Sequence, residues 1–394
     1  MFWGRTSDVS VYYMDMFDFT LSKVQLFHNG SSSEPKVLVG VAGQSAPNLT
    51  SSSMEGPGST IKLTQYAGTI SVSSDETSLV FSDKWSRQLV CLVNLLTNDV
   101  SVLAGKFSIT PYTFADGYWA DAQFYVISGL LWEPDKSRVW VTSNSWRELR
   151  TISMYNRQVA TQFTSSDYGL TDGYLSGSGK LDAAYHFRSR NGLLWLMWSS
   201  IYRNIRRLDA EIGYVKFVAG SPGTDRLTGC INGAGTTVRF DGSFGGIAWD
   251  MDDKAAYIAE PAQNTIRKIT FSATGVGTVS EWFGNCPAIW AQPGTGTSDS
   301  ISFRHIAIVD SEWMYGMTAN KAYKINMQTR APTLLKQLSG SLNSFEWTVL
   351  PSQGCRCEAG KELVNGACSA CPAGHYCPYG QRISCNPGKQ IYNL

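Results

Sequence analysis

Short apolar segments recur six times along this chain and give it a regular pattern of hydrophobic and polar positions. They are VYYMD (11–15), LVFSD (79–83), VWVTS (139–143), LWLMW (194–198), AYIAE (256–260) and MYGMT (314–318). Equivalent residues of successive segments are 68, 60, 55, 62 and 58 positions apart. Apolar and aromatic runs of about four to eight residues, bounded by turn residues, are typical of β-strands. We therefore predict a β-strand at each of the six segments.

Each segment belongs to a unit for which the pattern predicts four strands. After AYIAE come a second strand with basic residues, NTIRKIT (264–270), and a third strand that closes on glycine, TVSEWFG (278–284). A polar, glycine-rich loop then leads into a further apolar strand, HIAIV (305–309). No helical periodicity competes with this pattern. Four-stranded units repeated at such a period indicate a β-propeller.

The strand that leads each unit is the key to ring closure. Within the repeats it occurs five times, from GTISV (68–72) to HIAIV (305–309), whereas the other three strand types occur six times. The missing copy is SFEWTVLP (344–351), which follows the sixth unit. We predict an all-β fold: a six-bladed β-propeller over residues 1–352, closed by this C-terminal strand, which completes blade 1. Closure of this kind covers strand edges that would otherwise invite aggregation.

The loops and hairpins of these units resemble NHL repeats. That family combines a DG-x-G-x-x-A-x-F loop, a GIA strand, a YVAD-x-x-N-x-IRKI hairpin and a TLAG strand. The matching stretches here are DGYWADAQFYVISGLLW (116–132), INGAGTTVRFDGSFGGIAWD (231–250) and AYIAEPAQNTIRKIT (256–270). The resemblance covers roughly residues 10–351 and implies the same six-bladed architecture. We expect the arginine and lysine residues of the hairpins to brace adjacent blades or to be solvated at the rim, rather than to bind a ligand.

Composition narrows the functional classes. The formal net charge is +1, which gives no basic footprint for nucleic acid. Nine cysteines and two glycosylation sequons, at Asn29 and Asn48, favour an extracellular or cell-surface location reached through the secretory pathway. No apolar run approaches the roughly 20 residues of a membrane helix. The N-terminal residues lack the apolar core of a signal peptide, so we expect the chain to be part of a longer secreted protein.

Six cysteines are concentrated in the last forty or so residues, and they predict a second, small disulfide-rich module over 353–394. A segment this short cannot build an apolar core of its own, so disulfides must stabilise it. Zinc binding is the competing interpretation of the C-x-C and C-x2-C spacings, which the secretory context disfavours. The stretches CPAGHYCPYG and CNPG resemble the cysteine-rich modules of ephrin-receptor and tumour-necrosis-factor-receptor ectodomains, which are often found in tandem in protist surface proteins. The six are Cys355, Cys357, Cys368, Cys371, Cys377 and Cys385, and they allow fifteen pairings.

The remaining three cysteines lie in the repeats. Cys91, within the apolar strand LVCLV, is predicted to be a buried thiol. Cys230 and Cys286 each follow a glycine-terminated third strand in successive units. We predict a disulfide between these two loops.

The sequence offers little for catalysis. His186 and His305 lie in leading strands near the predicted channel, without an evident third metal ligand, and His28 and His375 lie elsewhere. The acidic loop residues Glu55, Asp116 and Asp172 recur at equivalent positions and could surround a cation, but acidic residues at such turns usually serve the turn itself. We expect no metal, no cofactor and no enzymatic activity. The alternative is an enzyme that uses the channel, such as a metal-dependent lyase.

The predicted function is therefore binding or structural. We expect an extracellular adhesion, matrix or surface-filament protein that presents a propeller loop face to other proteins or glycans, or to copies of itself. The long loops between units hold Trp119 and Trp290, which could anchor a partner. The candidate binding face comprises Glu55, Asp116, Trp119, Asp172 and Trp290.

Overall fold

The chain divides into two compact units, Val9–Thr348 and a second that combines Met1–Asp8 with Val349–Leu394. The sequence places this boundary slightly later, at 352/353. None of the helices in the described part of the chain is long and apolar enough to cross a membrane. The computed structural model describes residues 9–15, 17–27, 31–45, 54–64, 67–73, 75–83, 88–106, 114–124, 126–133, 137–143, 148–164, 171–174, 184–190, 194–199, 203–209, 212–221, 229–241, 244–250, 254–284, 301–308, 311–338, 342–349, 361–364, 367–370, 375–376 and 383–384.

The first unit consists almost entirely of β-strands. Its strands are β1 (Val9–Asp15), β2 (Thr20–Leu26), β3 (Lys36–Val39), β4 (Gly56–Pro57), β5 (Ala67–Val72), β6 (Ser78–Asp83), β7 (Leu89–Asn94), β8 (Asp99–Ala104), β9 (Gly117–Tyr118), β10 (Ile127–Trp132), β11 (Arg138–Ser143), β12 (Glu148–Ser153), β13 (Gln158–Thr164), β14 (Gly173–Tyr174), β15 (Ala184–Arg190), β16 (Leu194–Ser199), β17 (Asn204–Asp209), β18 (Tyr214–Gly220), β19 (Gly233–Ala234), β20 (Ile247–Trp249), β21 (Ala255–Glu260), β22 (Thr265–Phe271), β23 (Gly277–Phe283), β24 (His305–Ile308), β25 (Trp313–Met317), β26 (Lys321–Asn326), β27 (Pro332–Gln337) and β28 (Leu342–Val349). Single 3-10 turns occur at Gly58–Thr60, Trp119–Asp121, Gly235–Thr237 and Pro261–Gln263.

These strands form six sheets, one for each blade, which confirms the predicted six-bladed β-propeller. Blade 1 has the strand order β28-β1-β2-β3, so the last strand of the propeller lies beside its first strand. The predicted closure is therefore confirmed, although β28 begins at Leu342, two residues before the predicted strand. Blades 2 to 6 follow along the chain, each with its leading strand next to the recurring apolar strand.

The hydrophobic core is divided into clusters that lie between successive blades. Val80 of blade 2, for example, shares a cluster with Leu130, Val139 and Ile152 of blade 3, all at most 2% exposed. Similar clusters join blades 1 and 2, 6 and 1, 4 and 5, and 5 and 6 in the described residues. Each fully buried aliphatic side chain contributes roughly 1.5–3 kcal/mol. The apolar strand residues fill the space between neighbouring blades.

Glycine is required where the outer strand ends. Gly105 and Gly220 have φ values of 112° and 117°, which L side chains rarely adopt. A Cβ atom would also lie 2.6 Å from the carbonyl oxygen of Gln88 in the first case, and 2.5 Å from that of Arg203 in the second. These contacts explain why the third strand of so many units closes on glycine.

Blades 2 to 5 contain a fifth, two-residue strand that the sequence pattern did not predict. The strands β4, β9, β14 and β19 come from the loop that arrives from the preceding blade, and they pair with the outer strands β8, β13, β18 and β23. The long loops therefore run along the outer wall of the following blade. Two residues are too few to leave a periodic signal in the sequence.

The second unit contains two short hairpins among its described residues. The strand β29 (Lys361–Val364) pairs with β30 (Ala367–Ala370), and β31 (His375–Tyr376) pairs with β32 (Ile383–Ser384). Of the six tail cysteines, Cys368 lies in β30. The other five lie outside the described residues, so the disulfide-rich character of this module stays a prediction.

Candidate functional site

A buried arginine holds the incoming loop in blade 3. Arg150 of β12 is 2% exposed, and its guanidinium donates hydrogen bonds to the carbonyl oxygens of Ala115 (2.5 Å) and Gln123 (2.7 Å). It also pairs with the Asp116 carboxylate at 2.7 Å and lies 4.9 Å from the centre of the Phe124 ring. Arg150 therefore fastens both ends of the loop segment that supplies β9.

Blade 5 repeats this arrangement with a different acid. Arg267 of β22 donates to the carbonyl oxygens of Ile231 (2.5 Å) and Arg239 (2.7 Å), and its ion pair is with Glu260 at 3.2 Å. Arg267 and Glu260 are 0% and 1% exposed. These arginines therefore serve the structure, but each holds the incoming loop of its own blade, whereas the sequence predicted that they brace adjacent blades.

Asp116 and Asp172 each form an ion pair and hydrogen bonds within their own blade. Asp116 accepts hydrogen bonds from the backbone amide (2.8 Å) and hydroxyl (2.9 Å) of Thr161 on the outer strand β13. Asp172 pairs with Arg206 at 2.5 Å and accepts from the amide of Phe217 at 2.7 Å. Burial acts to raise the pKa of Asp116, but the hydrogen bonds from Thr161 and Arg150 outweigh it and hold this pKa below its usual range. These contacts favour the structural role over the cation site.

Blade 2 has a cysteine at the position that Arg150 holds in blade 3. Its equivalent position is Cys91, which is 0% exposed and packs in one cluster with Met54 and Leu63 of the incoming loop. An apolar cluster thus stands where blades 3 and 5 have an arginine and its partners. Glu55 precedes β4 and is exposed, and within the described part of the chain it shows no ion pair like that of Asp116.

Trp119 is the candidate binding residue with the most distinctive geometry. It follows β9 on the outer wall of blade 3 and has a φ of 43°, a left-handed conformation that costs a non-glycine residue about 1–2 kcal/mol. Gly235 holds the equivalent position in blade 5, with a φ of 54°. The Trp119 amide donates to the Arg157 carbonyl at 3.0 Å, and the Arg157 guanidinium lies 5.7 Å from the centre of the indole. The side chain nevertheless stays 45% exposed.

Other exposed aromatic residues lie on the outer wall of blade 3 and at an equivalent position of blade 4. Tyr118 lies beside it in β9, and Tyr155 projects from the turn between β12 and β13 with 90% exposure. On blade 4, Tyr174 is half-exposed and contacts Tyr214 edge to face at 5.0 Å. We call Tyr118, Trp119, Tyr155, Tyr174 and Tyr214 the aromatic wall. The sequence indicated only Trp119, because exposure on the outer strand depends on the fifth strand.

Glu148 is a buried acid that sequence analysis missed. It begins β12, two residues before Arg150, and is 3% exposed. Its Oε1 atom has no hydrogen-bond partner among the described residues. Burial raises the pKa of Glu148 to about 7, nearby Arg150 opposes this rise, and Asp116 adds to it. The hydrogen bonds of Arg150 go to the loop and to Asp116, so Glu148 keeps this raised pKa and is about half protonated near pH 7.

The predicted channel residues do not form a metal site within the part of the chain that the structure describes, where no group of three metal-binding side chains occurs. His305 lies half-buried in β24. His186 lies in β15, whose side chains are outside the described set, so the absence of metal and of enzymatic activity stays a prediction.

The structure describes two of the three cysteines that lie in the repeats. Cys91 is a buried thiol. Cys230 is buried and disulfide-bonded. Its predicted partner Cys286 lies outside the described residues, as do Asn29, Asn48 and Trp290, so the pairing, the glycosylation and the role of Trp290 stay predictions.

No protein-family profile and no curated protein matches the chain. Among solved structures, a chain from a nidogen/laminin complex is similar with a TM-score of 0.53 and 7% identity, over 86% of this chain and 98% of that one. TolB from Acinetobacter baumannii (TM-score 0.47, 12% identity, 87% and 66% coverage) also matches. So does a gluconolactonase from Xanthomonas campestris (0.47, 10%, 84% and 86%). At such low identity the nidogen/laminin likeness shows the fold alone, and it supports the propeller.

Proposed function

We propose that this protein is an extracellular binding module that recruits a protein partner through the aromatic wall of blades 3 and 4. The observation that carries the proposal is Trp119, whose backbone is held in an unfavourable conformation while its side chain stays 45% exposed. Strained backbone tends to persist where it serves function. Here the strain presents a large aromatic side chain to solvent, and tryptophan, tyrosine and arginine dominate binding energy at protein interfaces.

The position of the wall suits this role. The Arg157 guanidinium over the indole restricts its motion, so less entropy is lost on binding. Phe163 of β13 packs directly on Gly213 in blade 4, since a Cβ atom there would lie 2.5 Å from its Cε1 atom. This contact joins blade 3 to blade 4 beside Tyr214 of the aromatic wall.

The secretory location and the non-enzymatic character are part of the proposal. The disulfide at Cys230 and the cysteine-dense tail support an oxidising compartment. A chain of similar fold in a nidogen/laminin complex gives a precedent for such a fold in a complex between proteins. A matrix or surface-filament component fits these observations.

A Trp119→Gly variant tests the proposal. Glycine relieves the left-handed backbone and loses only the contact with Arg157, so the free energy of unfolding should stay within about 1 kcal/mol of the wild type. Partner binding should fall at least tenfold, the loss typical of an interface anchor.

The partner is sought by site-specific photo-crosslinking in an extracellular matrix extract. A crosslinker at Tyr155 should capture a defined protein, and Trp119→Gly should remove that product. The control places the crosslinker at Gln328, the equivalent turn position of blade 6. Equal capture from both positions, or capture insensitive to Trp119→Gly, would rule out the aromatic wall as the binding surface.

A further inference from the structure

The outer edge of blade 1 differs from those of blades 2 to 5. In the part of the chain that the structure describes, its outer strand β3 has no partner on the outer side, whereas β8, β13, β18 and β23 each pair with a fifth strand. The reason is the connection that leads into blade 1. Residues 338–341 alone join β27 to β28, whereas residues 105–126 join β8 to β10 and supply β9 on the way. The short connection cannot reach the outer wall.

Strand register shows which groups the edge of β3 offers. Ser22 pairs with Val37 as Cys91 pairs with Val102, so Pro35 corresponds to Val100, the residue that faces the fifth strand of blade 2. The amide of Val37 then points outward. The equivalent outward amides are those of Thr161 and Phe217, which the carboxylates of Asp116 and Asp172 bind.

A groove lies along the same edge. Its volume is about 400 Å³, and its lining includes Val37, Gly40, Ala42, Gly58 and Asn98. The Oδ1 atom of Asn98 is buried and has no hydrogen-bond partner among the described residues. Val37 is 46% exposed. The outward donor of β3 therefore lies beside a cavity of ligand-binding size, whose opposite side, in blade 2, holds the unsatisfied acceptor of Asn98.

We propose that the edge of β3 binds an extended segment of a partner protein in which an acidic residue precedes glycine. Two resident segments define this chemistry, Asp116-Gly117 and Asp172-Gly173, whose carboxylates accept from the outward amides of Thr161 and Phe217. Glu55-Gly56 and Asn232-Gly233 hold the same positions in blades 2 and 5. In the bound segment, the carboxylate accepts from the Val37 amide and the glycine amide donates to the Pro35 carbonyl. The exposed Lys36 beside the edge attracts the acid. Addition of a strand to a free sheet edge is an established mode of peptide recognition.

Pro35 sets the strength of this interaction. It has no amide hydrogen, so the added strand lacks one hydrogen bond that valine provides at the equivalent positions Val100, Val159, Val215 and Val279. Proline at an edge also prevents uncontrolled strand pairing. Binding is therefore weaker than pairing of a resident strand and reversible. This inference rests on the proposed binding function and assigns it a second surface.

The probe is a fluorescent peptide with the sequence of residues 113–119, Thr-Phe-Ala-Asp-Gly-Tyr-Trp, titrated against the full chain by fluorescence anisotropy. We expect saturable binding with a Kd below about 1 mM. Pro35→Val should tighten binding by a factor of roughly 2 to 10, because it restores one hydrogen bond, and Val37→Pro should weaken it by at least as much. A control peptide with valine in place of glycine should bind more weakly to all three proteins.

The Pro35→Val arm keeps the test decisive even if Val37→Pro fails to fold, because a gain in affinity cannot arise from unfolding. No binding up to about 1 mM, or binding that Pro35→Val leaves unchanged, would overturn the proposal. Self-association abolished by Val37→Pro would assign the edge to a second copy of the chain and also overturn it. The crosslinking result at Tyr155 is independent, so failure at the β3 edge leaves the aromatic wall unaffected.

Discussion

Replacement of Glu148 by glutamine is expected to stabilise the propeller at neutral and alkaline pH, but not in mild acid. The pKa of this buried carboxyl is raised from 4.5 to about 7, mainly because burial disfavours the charged form. The native state therefore holds a proton that the unfolded chain releases between these two values. The free energy of unfolding falls as the pH rises through this window and levels off above it.

The magnitude follows from the size of the shift. Each pKa unit corresponds to about 1.4 kcal/mol, so a rise from 4.5 to about 7 amounts to about 3 kcal/mol lost above neutral pH. Glutamine has nearly the same shape and carries no charge. Its amide must find a hydrogen-bond partner in place of the acid, so we expect Glu148→Gln to gain about 2–3 kcal/mol at about pH 8 and almost nothing at about pH 5.

The assay is urea unfolding of the wild type and Glu148→Gln across this pH range. The difference between the two proteins cancels the titration of the four histidines and of all other shared groups. Glu55→Gln, at an exposed acid, is the matched control and should show no such difference. If the difference in free energy of unfolding between the wild type and Glu148→Gln does not change with pH, the raised pKa of Glu148 is refuted.

Two further predictions concern stability. Arg267→Met should destabilise the propeller by about 3–5 kcal/mol, because it leaves the buried Glu260 carboxylate unpaired. In a double-mutant cycle, the double variant with Glu260→Gln should recover much of this loss. A double variant that loses as much stability as Arg267→Met alone would contradict the coupling. Deletion of residues 342–349 should remove the strand that closes blade 1 and sharply lower the melting temperature of the propeller, and a truncated chain that melts like the intact one would contradict the closure.

The periodic part of the structure follows from the sequence. Six apolar segments with their second and third strands predict six blades, and the missing leading strand predicts the closure by β28. The glycines that end the outer strands, such as Gly105 and Gly220, are visible because a left-handed backbone and a close carbonyl admit no side chain. Such features depend on neighbours close in sequence or on a repeated pattern, which one chain displays by itself.

Only the tertiary structure decided what the loops and their polar residues do. Asp116 and Arg150 lie 34 residues apart, and their contact depends on a loop that crosses to the outer wall. The exposure of Trp119, the burial of Glu148 and the uncovered edge of β3 likewise depend on where that wall ends. Burial and electrostatic environment are set by the sum of contacts between distant segments, and a local pattern of residues does not contain that sum.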